Sequence, residues 1–394
     1  MLKILMLVAH ETIKGPIPKI TPHLVSSLRE QGVEVDTEPW GRRSDTESLV
    51  TKAVGRLLDA WRVRRRLQGG AYDLLLVHTS HDLKGAARDL QMLIAARSVV
   101  PRIALHLHGS RPEILLGPGQ PIFNLITRAA MRFVDGALVL SSEECVQWHR
   151  IYPAKRFHLI ANPFVGSDSD EAKPALGSME VSQIPSLLFV GRVMEPKGVL
   201  VLVEALRLVV NETPCRLVIA GTGPDDRRAH ALVESLGLTD SVRFAGYVTG
   251  PALSALYRNA TIFVLPSCRE GFPTVISEAM DAGLPVITTR VGGLPDHLQD
   301  GVNARFVAPR DPRALAEAIL RLLKGSDERI AMGLANRAKV REFAPGTVGP
   351  VYLRAIQDII GEPRPPPSPQ NPCFLARFAR PEKTSVPGGR NTRC

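Results

Sequence analysis

The sequence contains few of the residues that characterise several large classes of protein. Its five cysteines are scattered and odd in number, which predicts a reducing compartment and argues against a structural zinc site. Aromatic residues make up only 5% of the chain and no recognition motif accompanies its basic residues, so we expect no nucleic-acid partner. The longest apolar runs fall short of the roughly 18 residues of a membrane span and suit buried strands instead.

The N-terminal segment also lacks the cationic start of a secretory leader, because Met1 to Ala9 lead directly into an apolar strand. We therefore expect a cytoplasmic protein. The length of 394 residues and the hydrophobic content of 44% predict a globular chain with two cores. Its net charge of +10 favours anionic partners, such as nucleotide phosphates or an acidic lipid surface.

Strand-like and helix-like segments alternate along most of the chain, with six strand runs in residues 1–165 and five in residues 186–345. This alternation predicts an α/β fold with two Rossmann-like domains, each built on a doubly wound parallel sheet. Residues 166–185, rich in Gly, Ser, Asp and Pro, are predicted to link them. Ligands of open α/β sheets bind at the carboxyl ends of the strands, so we expect a site in the cleft across which the domains face each other. The Pro-rich residues 361–394 predict a disordered tail.

Two carboxylates, Glu270 and Glu278, lie eight residues apart around a Gly-Phe-Pro turn, in a segment that reads strand, loop, helix, strand. Eight helical residues span about 12 Å, roughly the reach from a sugar across a diphosphate to a ribose. The N–H groups at residues 272–275 would point at an anion between the two carboxylates. Acids are common in the first turn of any helix, so this pair alone does not define a function.

Two cations, Arg192 and Lys197, follow the first strand of the second series, where Gly191 lets the chain turn. Charge-assisted bonds from such side chains to phosphate contribute about 1.5–3 kcal/mol each. A solvated strand end is the alternative interpretation. Gly223, in a Gly-Thr-Gly-Pro turn after the next strand, is a second candidate for donor contact, with a simple tight turn as its alternative.

In their order and spacing these segments resemble the retaining glycosyltransferases of family 4, which have the GT-B fold. The resemblance covers nearly all of residues 1–360 and implies that Glu270 contacts the hydroxyls of a donor sugar while Glu278 holds the nucleotide ribose. It also implies that Arg192 and Lys197 neutralise the donor diphosphate, and that residues 346–360 form a helix crossing back to the first domain. The backbone of the Gly-Phe-Pro turn would face the sugar and phosphates, which adds Gly271, Phe272, Pro273 and Thr274 to the predicted donor site.

The resemblance places His108, next to Gly109, beside the donor sugar and makes it a candidate catalytic residue with Glu270. We expect His106 and His108 to project to opposite sides of their strand. His106, His78, His10 and His81 are interpreted as structural, with cleft-lining positions as the alternative for the last two.

The chain departs from the family pattern in its first strand-to-helix loop. Gly15 aligns with the first glycine of the family's Gly-Gly loop and is predicted to contact the donor, but Pro16 replaces the second glycine and removes one N–H group. Lys14 or Lys19 would compensate for that contact. The Asp168-Ser-Asp170 sequence spells the metal motif of a different transferase fold, and we interpret it as solvated charge.

The resulting prediction is a metal-independent, retaining hexosyltransferase without a cofactor. The donor is a UDP-, GDP- or ADP-linked sugar, and the acceptor is a hydroxyl group of a glycan, a lipid-linked glycan or a small molecule. Arg192 and Lys197 would supply the charge that Mg²⁺ supplies in metal-dependent transferases. A sugar-nucleotide epimerase and a non-catalytic nucleotide-binding scaffold of the same fold are the alternatives.

The stretch 55–67 is basic and amphipathic, with Leu57, Leu58, Trp61 and Leu67 assigned to one side. Such a helix can lie on an anionic membrane, which would make the protein peripheral to the inner face of that membrane. The alternative is that it packs its apolar side on the domain and leaves its arginines in water.

Overall fold

The computed structural model describes residues 1–10, 13, 15–41, 43, 49–116, 120–166 and 184–361, and the structural statements below concern these residues. Most of the predicted linker, residues 167–183, and of the predicted tail, residues 362–394, lies outside them. So do Lys14 and the Asp168-Ser-Asp170 sequence.

The first sheet has six parallel strands in the order β2-β1-β3-β4-β5-β6. Its strands are β1 (Lys3–Val8), β2 (Glu34–Pro39), β3 (Leu74–Thr79), β4 (Arg102–Leu107), β5 (Gly136–Val139) and β6 (Arg156–Leu159). The helices of this region are α1 (Pro16–Glu30), α2 (Leu49–Gly70), α3 (Leu83–Arg97), α4 (Pro121–Met131) and α5 (Ser142–Ile151). The strand order reverses between β1 and β3, and a crevice opens at such a switch point.

The second sheet also has six parallel strands, in the order β12-β11-β10-β7-β8-β9. Its strands are β7 (Ser186–Val190), β8 (Arg216–Ala220), β9 (Val242–Gly246), β10 (Ile262–Leu265), β11 (Val286–Thr289) and β12 (Ala304–Val307). The remaining helices are α6 (Val199–Val210), α7 (Asp226–Ser235), α8 (Gly250–Arg258), α9 (Thr274–Asp281), α10 (Leu294–His297), α11 (Pro312–Lys324), α12 (Ser326–Lys339) and α13 (Pro345–Ile360). Two parallel sheets flanked by helices confirm the predicted fold class.

The prediction of five strands in the second series is wrong by one, because β12 was missed. This strand lies at the edge of its sheet and is only partly buried. Its Arg305 forms an ion pair with Glu328 of α12, so a charged residue interrupts the apolar pattern that marks the central strands.

The central strands are buried on both faces, since helices cover each sheet from both sides. All six residues of β3 are buried, and its apolar residues divide between two core clusters on opposite faces of the first sheet. One of these faces is covered partly by α13, whose Val348, Tyr352 and Ile356 pack against first-sheet residues such as Leu76. The last helix therefore returns to the first domain and ties the two halves together. None of the described helices is long and apolar enough to cross a bilayer.

Candidate active site

The loops that follow β7 and β10 lie side by side at the carboxyl edge of the second sheet, because these two strands are neighbours. The Cys268 N–H donates to the Pro196 carbonyl at 2.8 Å. Gly198 has a φ of +74°, and a Cβ on it would lie 2.0 Å from the Pro266 oxygen. Only glycine permits this approach of the two backbones. The contact brings Lys197, on one loop, to Glu270, on the other.

Glu270 is a buried carboxylate with two partners, as the low dielectric of the interior requires. The Lys197 ammonium lies 2.7 and 2.8 Å from its two oxygens, and the Ser267 hydroxyl donates to Oε1 at 2.6 Å. Both predicted residues are therefore in one place and are paired with each other. Ser267 was not predicted from the sequence, although its position three residues before Glu270 was visible there.

A Gly-Gly turn after β11 packs closely against the backbone of Glu270. Gly292 has a φ of +54°, and a Cβ on it would lie 1.7 Å from the Glu270 carbonyl oxygen. The Gly293 N–H donates to the Gly271 carbonyl at 2.8 Å. This turn therefore limits where the backbone of Glu270 and Gly271 can lie.

The Gly-Phe-Pro turn leads into α9, and it offers backbone rather than side chains to a ligand. The Phe272 ring is 1% exposed and lies against the rings of His297 and Phe343, with centroids 4.4 and 4.8 Å away. The helix begins at Thr274, directly after Pro273, and its first N–H groups have no acceptor within the helix. An anion in front of them is stabilised by these groups and by the helix dipole.

Glu278, on α9, is the second carboxylate of the predicted pair, and it too is partnered. The Tyr257 hydroxyl donates to Oε2 at 2.8 Å, and the Lys19 ammonium lies 3.1 Å from Oε1. Burial, followed by the charge and hydrogen bond of Glu278, raises the pKa of Tyr257 well above its ordinary value. Lys19 belongs to α1 of the first domain, so this ion pair crosses the cleft.

Gly15 directly precedes α1, is exposed, and has a φ of +155°. Lys19 lies one helical turn further on and points its ammonium to the predicted ribose carboxylate. Of the two lysines named as substitutes for the lost loop contact, this is the one that the structure describes.

Arg192 is exposed, and its guanidinium has no ion-pair partner among the described residues. The N–H groups of Gly191 and Gly223, which were predicted to contact the donor, already have acceptors inside the protein. Gly191 donates to the Ala220 carbonyl at 3.0 Å, and Gly223 donates to the Asp226 carboxylate at 2.9 Å. Gly191 thus connects the loop after β7 to the end of β8, Gly223 closes a turn within the loop after β8, and neither presents a free N–H group.

The two walls of the cleft touch at several further points. The side-chain amide of Asn162 donates to the Phe272 carbonyl at 2.9 Å, and the Ser142 N–H donates to Asp296 at 2.7 Å. A Cβ on Gly271 would lie 2.7 Å from the Leu140 side chain of the first domain. The structure therefore shows a closed cleft around the Gly-Phe-Pro turn.

His108 lies at the carboxyl end of β4 with two other histidines, His78 and His106. The prediction that His106 and His108 project to opposite sides is wrong: residues two apart on a strand share a side, and their ring centroids are 4.1 Å apart. His78 Nδ1 and His108 Nε2 form a hydrogen bond of 3.0 Å. Burial lowers the pKa of His108 well below its ordinary value, with the charge of His78 as a smaller cause, so the ring is neutral at pH 7.

The turn after His108 is held by Glu144 of α5. Its carboxylate accepts bonds from the Ser110 N–H at 3.2 Å and the Ser110 hydroxyl at 2.9 Å, and the Trp148 indole N–H donates to the same hydroxyl at 2.9 Å. Burial raises the pKa of Glu144 to about 7 despite these bonds. No motif in the sequence pointed to this residue.

The prediction that the apolar residues of helix α2 share one side is wrong. Leu67 is buried with Val63, whereas Leu57, Leu58 and Trp61 are exposed to 62%, 59% and 56%. The alternative interpretation is correct in part, because Val63 and Leu67 pack on the domain while the arginines at 62, 65 and 66 are exposed. The arginines at 62 and 66 also pair with Glu38 of β2, and the one at 64 donates to a carbonyl of α3.

Comparison with known proteins identifies the family of this chain. The model of the family described as "Glycosyl transferases group 1" matches residues 184–325. A D-inositol 3-phosphate glycosyltransferase from Xylanimonas cellulosilytica is 32% identical over 297 residues, covering 70% of this chain and 69% of the relative. An uncharacterized glycosyltransferase from Methanocaldococcus jannaschii is 37% identical over 153 residues, which span only 39% of either chain.

Solved structures share the architecture at low sequence identity. Sucrose-phosphate synthase from Thermosynechococcus elongatus superposes with a TM-score of 0.70 at 20% identity, covering 91% of this chain and 99% of that one. The Anabaena protein HepE, in complex with UDP-glucose, gives 0.69 at 19% identity and covers 91% and 100%. The chain therefore belongs to the glycosyl transferases group 1 family and has its GT-B fold.

Proposed function

We propose that the protein is a retaining hexosyltransferase that moves a sugar from a nucleoside diphosphate to a hydroxyl acceptor without a metal ion. The observation that carries the proposal is the arrangement around α9. A buried carboxylate paired to a lysine stands before the helix start, and a second carboxylate stands one turn inside the helix. The HepE complexes with UDP and UDP-glucose support a nucleotide-sugar donor.

The donor diphosphate would lie between the start of α9 and the loop after β7. Arg192 is available to bind it, and Lys197 reaches it by leaving or sharing its contact with Glu270. The leaving nucleoside diphosphate gains negative charge as the glycosidic bond breaks. Fixed cations and helix N–H groups therefore stabilise the transition state more than the bound substrate, which is the charge compensation that lets the reaction proceed without Mg²⁺.

Glu270 would hold the sugar hydroxyls, Glu278 the ribose hydroxyls, and His108 the far side of the sugar. The acceptor oxygen attacks the anomeric carbon from the face that the diphosphate leaves. One C–O bond forms as the C–O bond to phosphate breaks, and the acceptor proton passes to the departing phosphate oxygen. No nucleophilic side chain is needed.

The test is the variant Glu270→Gln, which keeps the size of the side chain but removes the charge that holds Lys197. Transfer should fall well over tenfold while UDP or GDP still binds, and an unchanged rate would remove Glu270 from catalysis. Glu195→Gln is the matched control, since Glu195 is exposed and lies between Arg192 and Lys197 on the same loop. D-inositol 3-phosphate belongs in the acceptor screen because of the named relatives.

The two alternatives have distinct outcomes in the same assay. Epimerised donor in the absence of any acceptor would identify an epimerase. Nucleotide binding without transfer or hydrolysis of UDP-, GDP- or ADP-sugars would identify a scaffold protein.

We further propose that α2 contacts an anionic membrane surface when the acceptor is lipid-linked. Its three exposed apolar residues, Leu57, Leu58 and Trp61, project away from the domain core. The Arg65 guanidinium lies 4.8 Å from the centre of the Trp61 ring, so a cation accompanies the apolar surface. Interfacial helices combine these features, and the positive net charge of the chain adds attraction to acidic lipids.

A further inference from the structure

Three imidazoles meet on one face of the first sheet, at the carboxyl end of its central strands. His78 of β3 stands directly opposite His106 of β4 in the strand register, and His108 follows two residues later on the same side. One ring nitrogen from each lies within 4.8 Å of the other two.

The ring nitrogens of this cluster are only partly satisfied by hydrogen bonds. His78 Nδ1 bonds to His108 Nε2 at 3.0 Å, and His106 Nδ1 lies 3.1 Å from the Tyr352 hydroxyl. In the part of the chain that the structure describes, the other nitrogen of each ring is buried and has no partner. His78 is 4% exposed and His106 is fully buried. Unsatisfied buried polar groups are costly, so the open His106 Nε2 beside the bonded His78–His108 pair indicates a missing ligand.

We propose that His78, His106 and His108 bind one divalent transition-metal ion, with zinc as the first candidate, through one ring nitrogen each. Imidazole is a preferred ligand of zinc, nickel and copper, whereas magnesium and calcium require oxygen ligands. Three histidines with an open fourth position are an established donor set for zinc.

The present geometry is close to what such an ion needs. With zinc–nitrogen distances of about 2.0–2.1 Å, two ligands of a tetrahedral ion are about 3.4 Å apart. The bonded pair of nitrogens is 3.0 Å apart and the widest separation is 4.8 Å, so modest ring rotations suffice. The ion would bind His78 Nδ1 and His108 Nε2 in place of the proton that they share, and His106 through its open Nε2.

A neighbouring side chain leaves one of the imidazoles ready to bind an ion. The Tyr352 hydroxyl can accept a bond from His106 Nδ1–H, which leaves Nε2 free for the ion. Partners of this kind orient metal-binding histidines, and here the partner comes from α13.

An ion at this site would engage the ring that the proposed mechanism directs to the donor sugar. Added zinc should therefore inhibit transfer. This consequence rests on the proposed function, but the binding of the ion does not, so the two are tested separately.

The binding experiment uses the full-length, untagged chain after removal of metal with a chelator. Calorimetry with Zn²⁺ and absorption titration with Co²⁺ should show one ion per chain. His78→Ala and His106→Ala should each weaken binding at least 100-fold, and Tyr352→Phe should weaken it about 10–100-fold. His230→Ala is the control, because this histidine stacks on Phe244 in the second domain and should leave affinity unchanged. Unchanged far-UV circular dichroism shows that each variant is folded.

X-ray absorption of the wild-type zinc complex provides a test that does not depend on variants. Three imidazole ligands with nitrogen or oxygen completing the shell are expected. The proposal is overturned if no ion binds, if the cobalt complex shows sulfur-to-metal charge transfer from cysteine, or if the histidine variants bind as the wild type does. Absence of binding would assign the three open nitrogens to buried water instead.

Discussion

Replacing Gly292 by alanine tests whether the turn after β11 sets the position of Glu270. The new Cβ would lie 1.7 Å from the Glu270 carbonyl oxygen, whereas non-bonded heavy atoms rest at about 3.5 Å or more. Relief of the clash therefore requires a displacement of roughly 1.8 Å. Because a misplacement of about 1 Å can lower an enzymatic rate 100-fold, we expect Gly292→Ala to lower kcat/KM for transfer by at least about that factor.

The same substitution also has a backbone cost, which a matched variant removes from the comparison. Gly292 has a φ of +54°, and an alanine in the left-handed region costs roughly 1–2 kcal/mol. Gly237 has a φ of +66° and lies in the same domain, but a Cβ on it would meet nothing within 4 Å. Gly237→Ala should thus lose similar stability in urea unfolding and keep its transfer rate.

The assay compares both variants for transfer, UDP binding and free energy of unfolding. We expect only Gly292→Ala to lose transfer, with a larger loss of stability than the control. Equal transfer rates in the two variants would refute the idea that this turn positions Glu270.

Three further predictions concern other parts of the molecule. Burial lowers the pKa of His297 from 6.5 to about 4, so its contribution to stability is present above pH 6.5 and is lost as the pH falls toward 4. Between pH 7.5 and pH 5 the wild type should lose about 2 kcal/mol more unfolding free energy than His297→Phe does. Equal losses in the two proteins, measured by urea unfolding at both pH values, would contradict this. The exposed pair between Lys19 and Glu278 contributes at most about 1 kcal/mol, so Lys19→Met should tighten UDP binding by up to about fivefold in calorimetry. Weaker binding would instead make Lys19 a donor contact. Leu57→Ser with Trp61→Ser should abolish sedimentation with phosphatidylglycerol vesicles without changing transfer to a soluble acceptor, and unchanged sedimentation would exclude α2 as the contact.

The sequence predicted the elements that depend on local pattern. The two parallel sheets followed from alternating apolar runs, because strands buried on both faces are apolar throughout. The resemblance pointed to Glu270 and Lys197, and the structure brings these two side chains into contact. Their contact depends on β7 and β10 being neighbours, which strand order determines and sequence spacing does not show.

Features that depend on tertiary contacts were not visible in the same way. Helix α2 carries two apolar stripes, and the sequence alone does not show that Val63 and Leu67 face the domain while Trp61 faces outward. The contact between Lys19 and Glu278 joins residues 259 positions apart, so only closure of the cleft reveals it. The shared face of the histidine cluster could have been predicted from the sequence, since His106 and His108 are two residues apart on a strand.

Both carboxylates of the predicted pair are satisfied by protein groups before any donor binds. A buried carboxylate without a partner is too costly, so the unliganded fold supplies Lys197 and Ser267 to Glu270. The partly buried Glu278 is paired with Tyr257 and Lys19. A donor must therefore exchange hydrogen bonds with these groups rather than fill open positions. Sugar and ribose hydroxyls can donate to both carboxylates, whereas an ionised phosphate without hydroxyl hydrogens can only accept. We therefore expect this paired arrangement to favour a ligand that carries hydroxyl groups as well as phosphate over phosphate alone.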